Sequence, residues 1–186
     1  MRWFRKPVGD PLTVSMTGLK LGDRLLFLGS SDTALAAALA SKVGLTGRAC
    51  LVDEPPDRLT AAAALVEQEG ALVESSAAPL TALPFEANSF DVVVARNVFP
   101  AVASSARGAV VAEVNRVVRA GGRCIVIDDV PRGALGGLIG GRGGDESLGA
   151  ETVALLAAGG FRGVRTLAER EGFVFVEGVK AGDTPG

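Results

Sequence analysis

Short apolar runs that alternate with helix-like segments are the feature that most narrows what this chain can fold into. The alternation extends from residue 21 to about residue 160. Runs such as residues 25–28 have no alternating polar residues, as a half-exposed strand would have. Continuous apolar runs of this kind are typical of strands buried on both faces of a parallel sheet. Helical crossovers between such strands cover both faces. The pattern therefore predicts an α/β fold with a mostly parallel sheet and helices on both faces.

The same pattern gives the individual elements. Strands are predicted at residues 25–28, 49–53, 72–75, 90–95 and 123–128, and helices at residues 33–42, 56–69, 106–119 and 150–158. Ser31 or Asp32 can cap the first of these helices, and glycines end the helices that follow. Two last strands, 164–168 and 173–179, have a short connection and are expected to pair antiparallel as a C-terminal hairpin. The sheet would then have seven strands.

The length of 186 residues suits one domain rather than two. Within a single domain of residues 1–186, residues 1–17 are expected to form an N-terminal extension. Residues 133–148, which begin GALGGLIGGRGG, are expected to form a glycine-rich loop. No Gly-Lys-Ser/Thr follows these glycines, so a phosphate-binding loop is not predicted there.

Composition excludes several function classes. The chain has no histidine and no tyrosine, so mechanisms that need an imidazole base, a histidine metal ligand or a Ser-His-Asp triad are excluded. Its two cysteines, Cys50 and Cys124, lie in apolar runs and are expected to be buried, reduced thiols, and no metal site is predicted. The net charge of −2 gives no reason to expect nucleic-acid binding.

The expected location follows from two absences in the sequence. No apolar run approaches the roughly 20 residues that a membrane span needs. The N-terminus, MRWFRKP, lacks the apolar stretch of a signal peptide and is expected to be loose or docked. We therefore expect no stable membrane insertion and a cytoplasmic location.

Three sequence segments occur in an order that belongs to a known family. They are GLKLGDRLL (residues 18–26), LPFEANSFDVVV (residues 83–94) and EVNRVVRAGGR (residues 113–123). Together they resemble the class I S-adenosylmethionine-dependent methyltransferases, specifically the small-molecule group that includes quinone-biosynthesis enzymes. The resemblance runs from about residue 17 to residue 180. It implies a Rossmann-like fold, S-adenosylmethionine as cofactor, and a cofactor site across the carboxyl ends of strands one to four.

The resemblance places the family's glycine-rich turn directly after the first strand. The family's acidic residue and its three alternating glycines fall on Phe27, Gly29, Ser31 and Thr33, so only Gly29 is retained. The side chains of Ser31 and Thr33 are expected to crowd the cofactor, whereas the hydroxyls of Ser30 and Ser31 are expected to offer it hydrogen bonds. These departures predict cofactor binding that is weakened or lost.

Further contacts to the cofactor are implied at the ends of later strands. Asp53, with Glu54 beside it, matches the acid that ends strand two and accepts hydrogen bonds from the ribose hydroxyls. The acid that pairs with the adenine amino group falls on Pro79, so backbone groups near Pro79 and Leu80 are expected to flank the ring instead. Arg96 is expected either to meet the carboxylate at the methionine end of the cofactor or to be an ordinary surface arginine.

Two functions remain open at this point. The first is methyl transfer to a small-molecule acceptor, which needs no histidine base because the sulfonium already activates the methyl group. The second is an inactive methyltransferase-like domain that serves as a binding or scaffold module. The site groups expected at the strand ends, none of them assigned as catalytic, are Asp32, Arg96, Asn97, Asp128 and Asp129. An open acceptor site and a valine-rich helix also favour a homodimer.

Overall fold

The computed structural model of the protein describes residues 11–130 and 145–182. In these ranges the chain forms helices and strands in an alternating order. The helices are α1 (Pro11–Met16), α2 (Thr33–Val43), α3 (Pro56–Gln68), α4 (Val98–Ala101), α5 (Ser104–Val117) and α6 (Asp145–Ala158). The strands are β1 (Arg24–Leu28), β2 (Arg48–Asp53), β3 (Glu74–Ala77), β4 (Phe90–Arg96), β5 (Val118–Asp129), β6 (Phe161–Arg170) and β7 (Phe173–Lys180).

The strands form one seven-stranded sheet in the order β3-β2-β1-β4-β5-β7-β6. Strands β1 to β5 are parallel, and β7 pairs antiparallel with both β5 and β6. The predicted α/β fold, a mostly parallel Rossmann-like sheet that ends in an antiparallel hairpin, is confirmed. The strand order reverses direction between β1 and β4, and the crevice at the carboxyl ends of the strands on either side of such a switch point is where ligands bind in open α/β sheets.

Side chains alternate along each strand, so the two faces of the sheet build two hydrophobic cores. On one face Leu26 and Leu28 of β1 pack with the apolar sides of α4, α5 and α6. On the other face Leu25 and Phe27 pack with α2 and α3. Helices therefore cover both faces, as the apolar runs of the sequence predict.

The first crossover helix begins at a cap that the sequence predicts. The Asp32 carboxylate accepts a hydrogen bond of 3.0 Å from the backbone N–H of Leu35, which satisfies one of the free donors of the first turn of α2. The helix ends at Val43 and is capped by Gly44, where φ is 65°. Of the two predicted caps, Asp32 is therefore the one that the chain uses.

Both cysteines are free thiols inside the sheet, as predicted. Cys50 lies on β2 and Cys124 on β5, and both are buried. Burial raises the pKa of the Cys50 thiol to about 11 and that of Cys124 to about 12, because the apolar surroundings disfavour the thiolate. Neither thiol is therefore a reactive nucleophile at neutral pH.

Strand β3 lies two residues later than predicted. Its register pairs Cys50 with Glu74 and Asp53 with Ala77, which leaves Leu72 outside the strand and exposed. The strand is the edge of the sheet and has a single neighbour. It therefore needs no apolar run, and its polar sequence ESSA carries little of the signal that marks a buried strand.

The junction between α5 and β5 also differs from the prediction. The helix ends at Val117 rather than at residue 119, and β5 begins at once with Val118. Gly121, at a φ of 71°, lies within the strand, where a register shift interrupts the pairing with β4 between Phe90 and Val92. Gly121 and Gly122 thus belong to an irregular strand start rather than to the helix end that the sequence predicts.

The closing hairpin is longer and tighter than predicted. Only Glu171 and Gly172 separate β6 from β7, and both have positive φ, 57° and 83°. Two such residues form the kind of turn whose twist matches that of the flanking strands. The sequence predicts that the first strand ends at Ala168, which would make the connection twice as long.

Parts of the predicted extension and loop lie outside the described residues. Of residues 1–17, the described part begins at α1, a helix that the sequence does not predict. Residues 133–144 of the predicted glycine-rich loop lie outside the described ranges. Residues 145–148 belong to α6 rather than to a loop.

A candidate cofactor site at the carboxyl ends of the parallel strands

A cavity of about 610 Å³ lies at the carboxyl ends of β1, β2 and β4. Its volume is within the range of small-molecule sites in proteins. The residues that line it include seven of the eight that the sequence predicts for the cofactor: Gly29, Ser30, Ser31, Asp53, Glu54, Leu80 and Arg96. The strand order therefore brings the predicted residues from the ends of four strands, β1 to β4, to one place.

Gly29 lets the turn after β1 run against the backbone of β4. Its φ is 91°, and a Cβ at this position would lie 2.8 Å from the carbonyl oxygen of Arg96. Its backbone N–H donates to the carbonyl of Val52 at 2.9 Å, which holds the turn against β2 as well. A side chain here would be strained both by φ and by the contact with backbone. The one glycine of the family's turn that this chain retains is thus the one that its backbone path requires.

Asp53 ends β2 and faces the cavity with its carboxylate already engaged. Oδ2 accepts a hydrogen bond of 3.0 Å from the backbone N–H of Ser30 and a second from the Ser30 hydroxyl. Oδ1 accepts the backbone N–H of Glu54 at 2.8 Å. Since a carboxylate has about four acceptor positions, Asp53 keeps capacity for a ligand hydroxyl.

Glu54 joins the end of β2 to the segment that follows β3. Its Oε1 accepts a hydrogen bond of 3.3 Å from the backbone N–H of Leu80, which is buried and lines the cavity. Pro79 lies exposed and is not among the cavity-lining residues of the described ranges. Of the two residues predicted to flank the adenine ring, only Leu80 therefore forms part of the cavity wall.

Arg96 is a buried arginine held by two acids. Its side chain is only 7% exposed; Nε lies 3.1 Å from the Asp32 carboxylate and an Nη lies 2.6 Å from that of Asp129. The guanidinium also donates to the carbonyl of Ile127 at 3.3 Å and lies over the ring of Phe173 at 5.1 Å. The alternative that Arg96 is an ordinary surface arginine is therefore wrong, whereas its contact with a cofactor stays a prediction.

Asn97 sets the path of the chain out of β4. It has a φ of 52°, in the left-handed region that asparagine tolerates better than most residues. Its side chain pairs with Asp129 in both directions, donating to the carboxylate at 2.7 Å and accepting the backbone N–H at 2.8 Å. This pairing ties the ends of β4 and β5 together beside the cavity, which Asn97 also lines.

Asp128 is a buried carboxylate beside this network rather than in the cavity wall. It is 2% exposed, and its Oδ1 has no hydrogen-bond partner among the described residues. Burial raises its pKa to about 6, against the opposing effect of the nearby Arg96 cation. Of the acids predicted as site groups, Asp32 caps α2 and Asp129 pairs with Arg96, whereas Asp128 has one carboxylate oxygen without a hydrogen-bond partner in the described chain.

Of the two residues predicted to crowd the cofactor, one lines the cavity and the other does not. Ser31 is exposed and lines the cavity. Thr33 is the first residue of α2 and does not line the cavity, so the structure does not support a clash there. Phe27 is 2% exposed in the core, which leaves no polar group at the position of the family's acid.

Sequence reasoning missed two parts of the cavity. The first is Arg58, in the first turn of α3, which is exposed and lines the cavity. Its guanidinium forms no ion pair in the described chain. An apolar wall comes from the segment after β4: Val98, Ala101, Val102, Ala103 and Ala106. The first turn of a helix that follows a parallel strand lies at the same edge of the sheet as the end of that strand. Arg58 could have been predicted from this rule, because it lies in the first turn after β2.

No group of three or more potential metal ligands occurs in residues 11–130 and 145–182. In the same ranges no helix combines the length and the apolar character that crossing a membrane requires.

The sheet order and the cavity across its strand ends define a Rossmann-like domain of the class I methyltransferase type. The model of the methyltransferase domain family matches residues 26–126, more than half of the chain, and the chain belongs to this family.

Individual relatives agree with this assignment. The ubiquinone/menaquinone biosynthesis C-methyltransferase UbiE of Chromobacterium violaceum is 29% identical over 116 residues, which are 62% of this chain and 47% of that protein. The chain thus spans about half the length of this curated relative. A SAM-dependent methyltransferase from Aquifex aeolicus superposes with a TM-score of 0.75 at 20% identity, covering 93% of this chain and 90% of that one. The [4+2]-cyclase SpnF has the same fold, with a TM-score of 0.71 at 18% identity over 92% of this chain and 79% of that one.

Proposed function

We propose that the protein is an S-adenosylmethionine-dependent methyltransferase acting on a small-molecule acceptor, with the cofactor in the cavity between β1, β2 and β4. The observation that carries the proposal is the Asp53 carboxylate, which lies in the cavity wall at the end of β2 with acceptor capacity left over. Vicinal ribose hydroxyls are donors that such a carboxylate binds by charge-assisted hydrogen bonds.

The residues of the cavity fit this cofactor. Gly29 keeps the turn after β1 close to the sheet, so that its backbone can approach a ligand. Ser31 offers a hydroxyl, and Arg96 a buried cation with N–H groups beyond those used by Asp32 and Asp129. We assign Arg96 to the carboxylate at the methionine end. The absence of polar groups at Phe27 and Pro79 supports binding that is weaker than a full set of contacts would give.

When bound, the cofactor supplies a methyl group already activated on a sulfonium. The chain's contribution is to bind and align the two substrates and to exclude water, for which no histidine base is needed. The wall of Val98, Ala101, Val102 and Ala106 has no hydrogen-bonding side chain. This wall suits an acceptor molecule with a flat apolar surface. The similarity to a ubiquinone/menaquinone biosynthesis C-methyltransferase supports such an acceptor.

Calorimetry with S-adenosylmethionine and S-adenosylhomocysteine tests the proposal. We expect binding in the micromolar range and an affinity at least about tenfold lower in Asp53→Ala, because a charge-assisted hydrogen bond contributes about 1.5–3 kcal/mol. Asp57→Ala removes an exposed acid of α3 that does not line the cavity, and should bind as the wild type does. Absence of binding at millimolar ligand would overturn the proposal in favour of an inactive binding or scaffold domain.

A further inference from the structure

Glu54 presents a carboxylate in the cavity wall next to the backbone of Leu80. It is exposed, it lines the cavity, and it reaches across from β2 to the segment after β3. Its one hydrogen bond there, 3.3 Å from the backbone N–H of Leu80, occupies Oε1. The Leu80 side chain beside it is buried and apolar. The other oxygen, Oε2, has no hydrogen-bond partner in the described chain.

We propose that Glu54 determines which base the site accepts, by receiving a hydrogen bond from the exocyclic amino group of adenine. The inference rests on the proposed function, since it concerns the base of the cofactor. A carboxylate only accepts hydrogen bonds, so the group opposite Glu54 must be a donor. The amino group is the donor that adenine offers on its pairing edge, and a base that lacks it leaves the Glu54 carboxylate without this hydrogen bond.

Two residues near Glu54, Pro79 and Asp53, are less suited than Glu54 to accept a hydrogen bond from the adenine amino group. Pro79 carries neither a carboxylate nor a backbone N–H, and it lies outside the cavity wall. Asp53 accepts three hydrogen bonds, from Ser30 and from the backbone N–H of Glu54, and the proposed function assigns its remaining acceptor position to the ribose hydroxyls. The contact with the Leu80 N–H holds the Glu54 carboxylate against the wall, which orients it before a ligand arrives.

Discrimination between S-adenosylhomocysteine and its analogue with unsubstituted purine in place of adenine tests this role. The two differ at the amino group alone, which is replaced by hydrogen, so that N1 stays an acceptor in both. Calorimetry on the wild type should show a preference for the adenine compound of about tenfold to a hundredfold, the effect of losing a charge-assisted hydrogen bond. In Glu54→Gln the preference should fall by about three- to tenfold, because the neutral amide oxygen accepts a weaker hydrogen bond than the carboxylate does.

Glu67→Gln is the matched control. It removes the same charge from an exposed position of α3 outside the cavity and should keep the full preference. Equal affinity of the wild type for the two compounds, or an unchanged preference in Glu54→Gln, would overturn the inference while leaving cofactor binding intact. If the wild type bound neither compound, the proposed function would fail and this inference with it.

Discussion

The hydroxyl and the backbone N–H of Ser30 both donate to one oxygen of Asp53, across 23 residues of sequence. The contact joins the turn after β1 to the end of β2, and it takes place at the wall of the cavity. Two donors on Oδ2 leave the carboxylate one orientation, in which Oδ1 is the oxygen with capacity for a ligand. The acid is thus positioned in advance, so less conformational entropy is lost when a ligand binds.

Ser30→Ala tests whether the Ser30 hydroxyl orients the Asp53 carboxylate for a ligand. The backbone bond remains, but the carboxylate loses one of the two donors that orient it. We expect the affinity for S-adenosylhomocysteine to fall by about three- to tenfold, and the free energy of unfolding by about 1 kcal/mol, the usual contribution of one hydrogen bond. Ser89→Ala removes a hydroxyl that bonds only within its own turn and should leave the affinity unchanged. Tighter binding in Ser30→Ala would mean that the hydroxyl competes with the ligand.

Ser31 is the one side chain of the β1 turn that stands in the cavity where the family has glycine. We expect Ser31→Gly to raise the affinity for S-adenosylhomocysteine by several-fold, because it removes a Cβ from the path of the ligand. Thr33→Gly should leave the affinity unchanged and destabilise the fold by up to about 1 kcal/mol, because Thr33 opens α2. Calorimetry and urea unfolding measure the two effects. Equal gains in both variants would contradict the steric account.

The strands that the sequence predicts best are those buried on both faces. β1 and β4 begin and end within one residue of their predicted bounds, since their apolar runs RLLFL and FDVVVAR have no other way to be buried. The misplaced strand, β3, lies at the edge with one neighbour. Helix α4 has four residues, too few for a periodic pattern to appear.

Residues of the site could be predicted from their place at strand ends, but their partners could not. Asp53 follows from the family resemblance, and Arg96 from the rule that parallel strands bring their carboxyl ends together. The bonds from Ser30 to Asp53 and from Leu80 to Glu54 depend on how two loops meet, which no spacing encodes. The burial of Arg96 likewise arises from neighbours on three different segments.

Residues of the segments LPFEANSFDVVV and EVNRVVRAGGR contact each other directly through hydrogen bonds. Glu113 accepts the backbone N–H of Leu83 at 2.7 Å, and Arg116 donates to the carbonyls of Leu83 and Phe85 at 3.0 and 2.8 Å while pairing with Glu113. The Arg116 guanidinium is the largest cause of the lowered pKa of the Glu113 carboxyl. Helix α5 thereby holds the loop that leads into β4.

Arg116→Met should therefore lower the free energy of unfolding by about 2–3 kcal/mol, since several charged hydrogen bonds are lost together. Arg48→Met breaks an exposed pair with Glu74 and serves as the control, with an expected cost below about 1 kcal/mol. Urea denaturation of both variants measures the difference. Equal costs would show that the loop does not depend on the Arg116 contacts.

Asp128 makes the stability of the protein depend on pH in a defined direction. Burial raises its pKa to about 6 in the folded state, against about 3.9 in an unfolded chain. Between these values the folded state binds more protons than the unfolded state, so this group's contribution to stability is present below about pH 4 and is lost as pH rises to 6 and above. Two pKa units correspond to about 3 kcal/mol.

Asp128→Asn removes the titration and keeps the shape of the side chain. The variant should match the wild type most closely near pH 4 and become more stable than it by up to about 3 kcal/mol near pH 7. The measured quantity is the difference in unfolding free energy between the two proteins at each pH, which cancels the groups they share. A difference that stays constant from pH 4 to pH 7 would mean that the Asp128 carboxylate is compensated in the folded state.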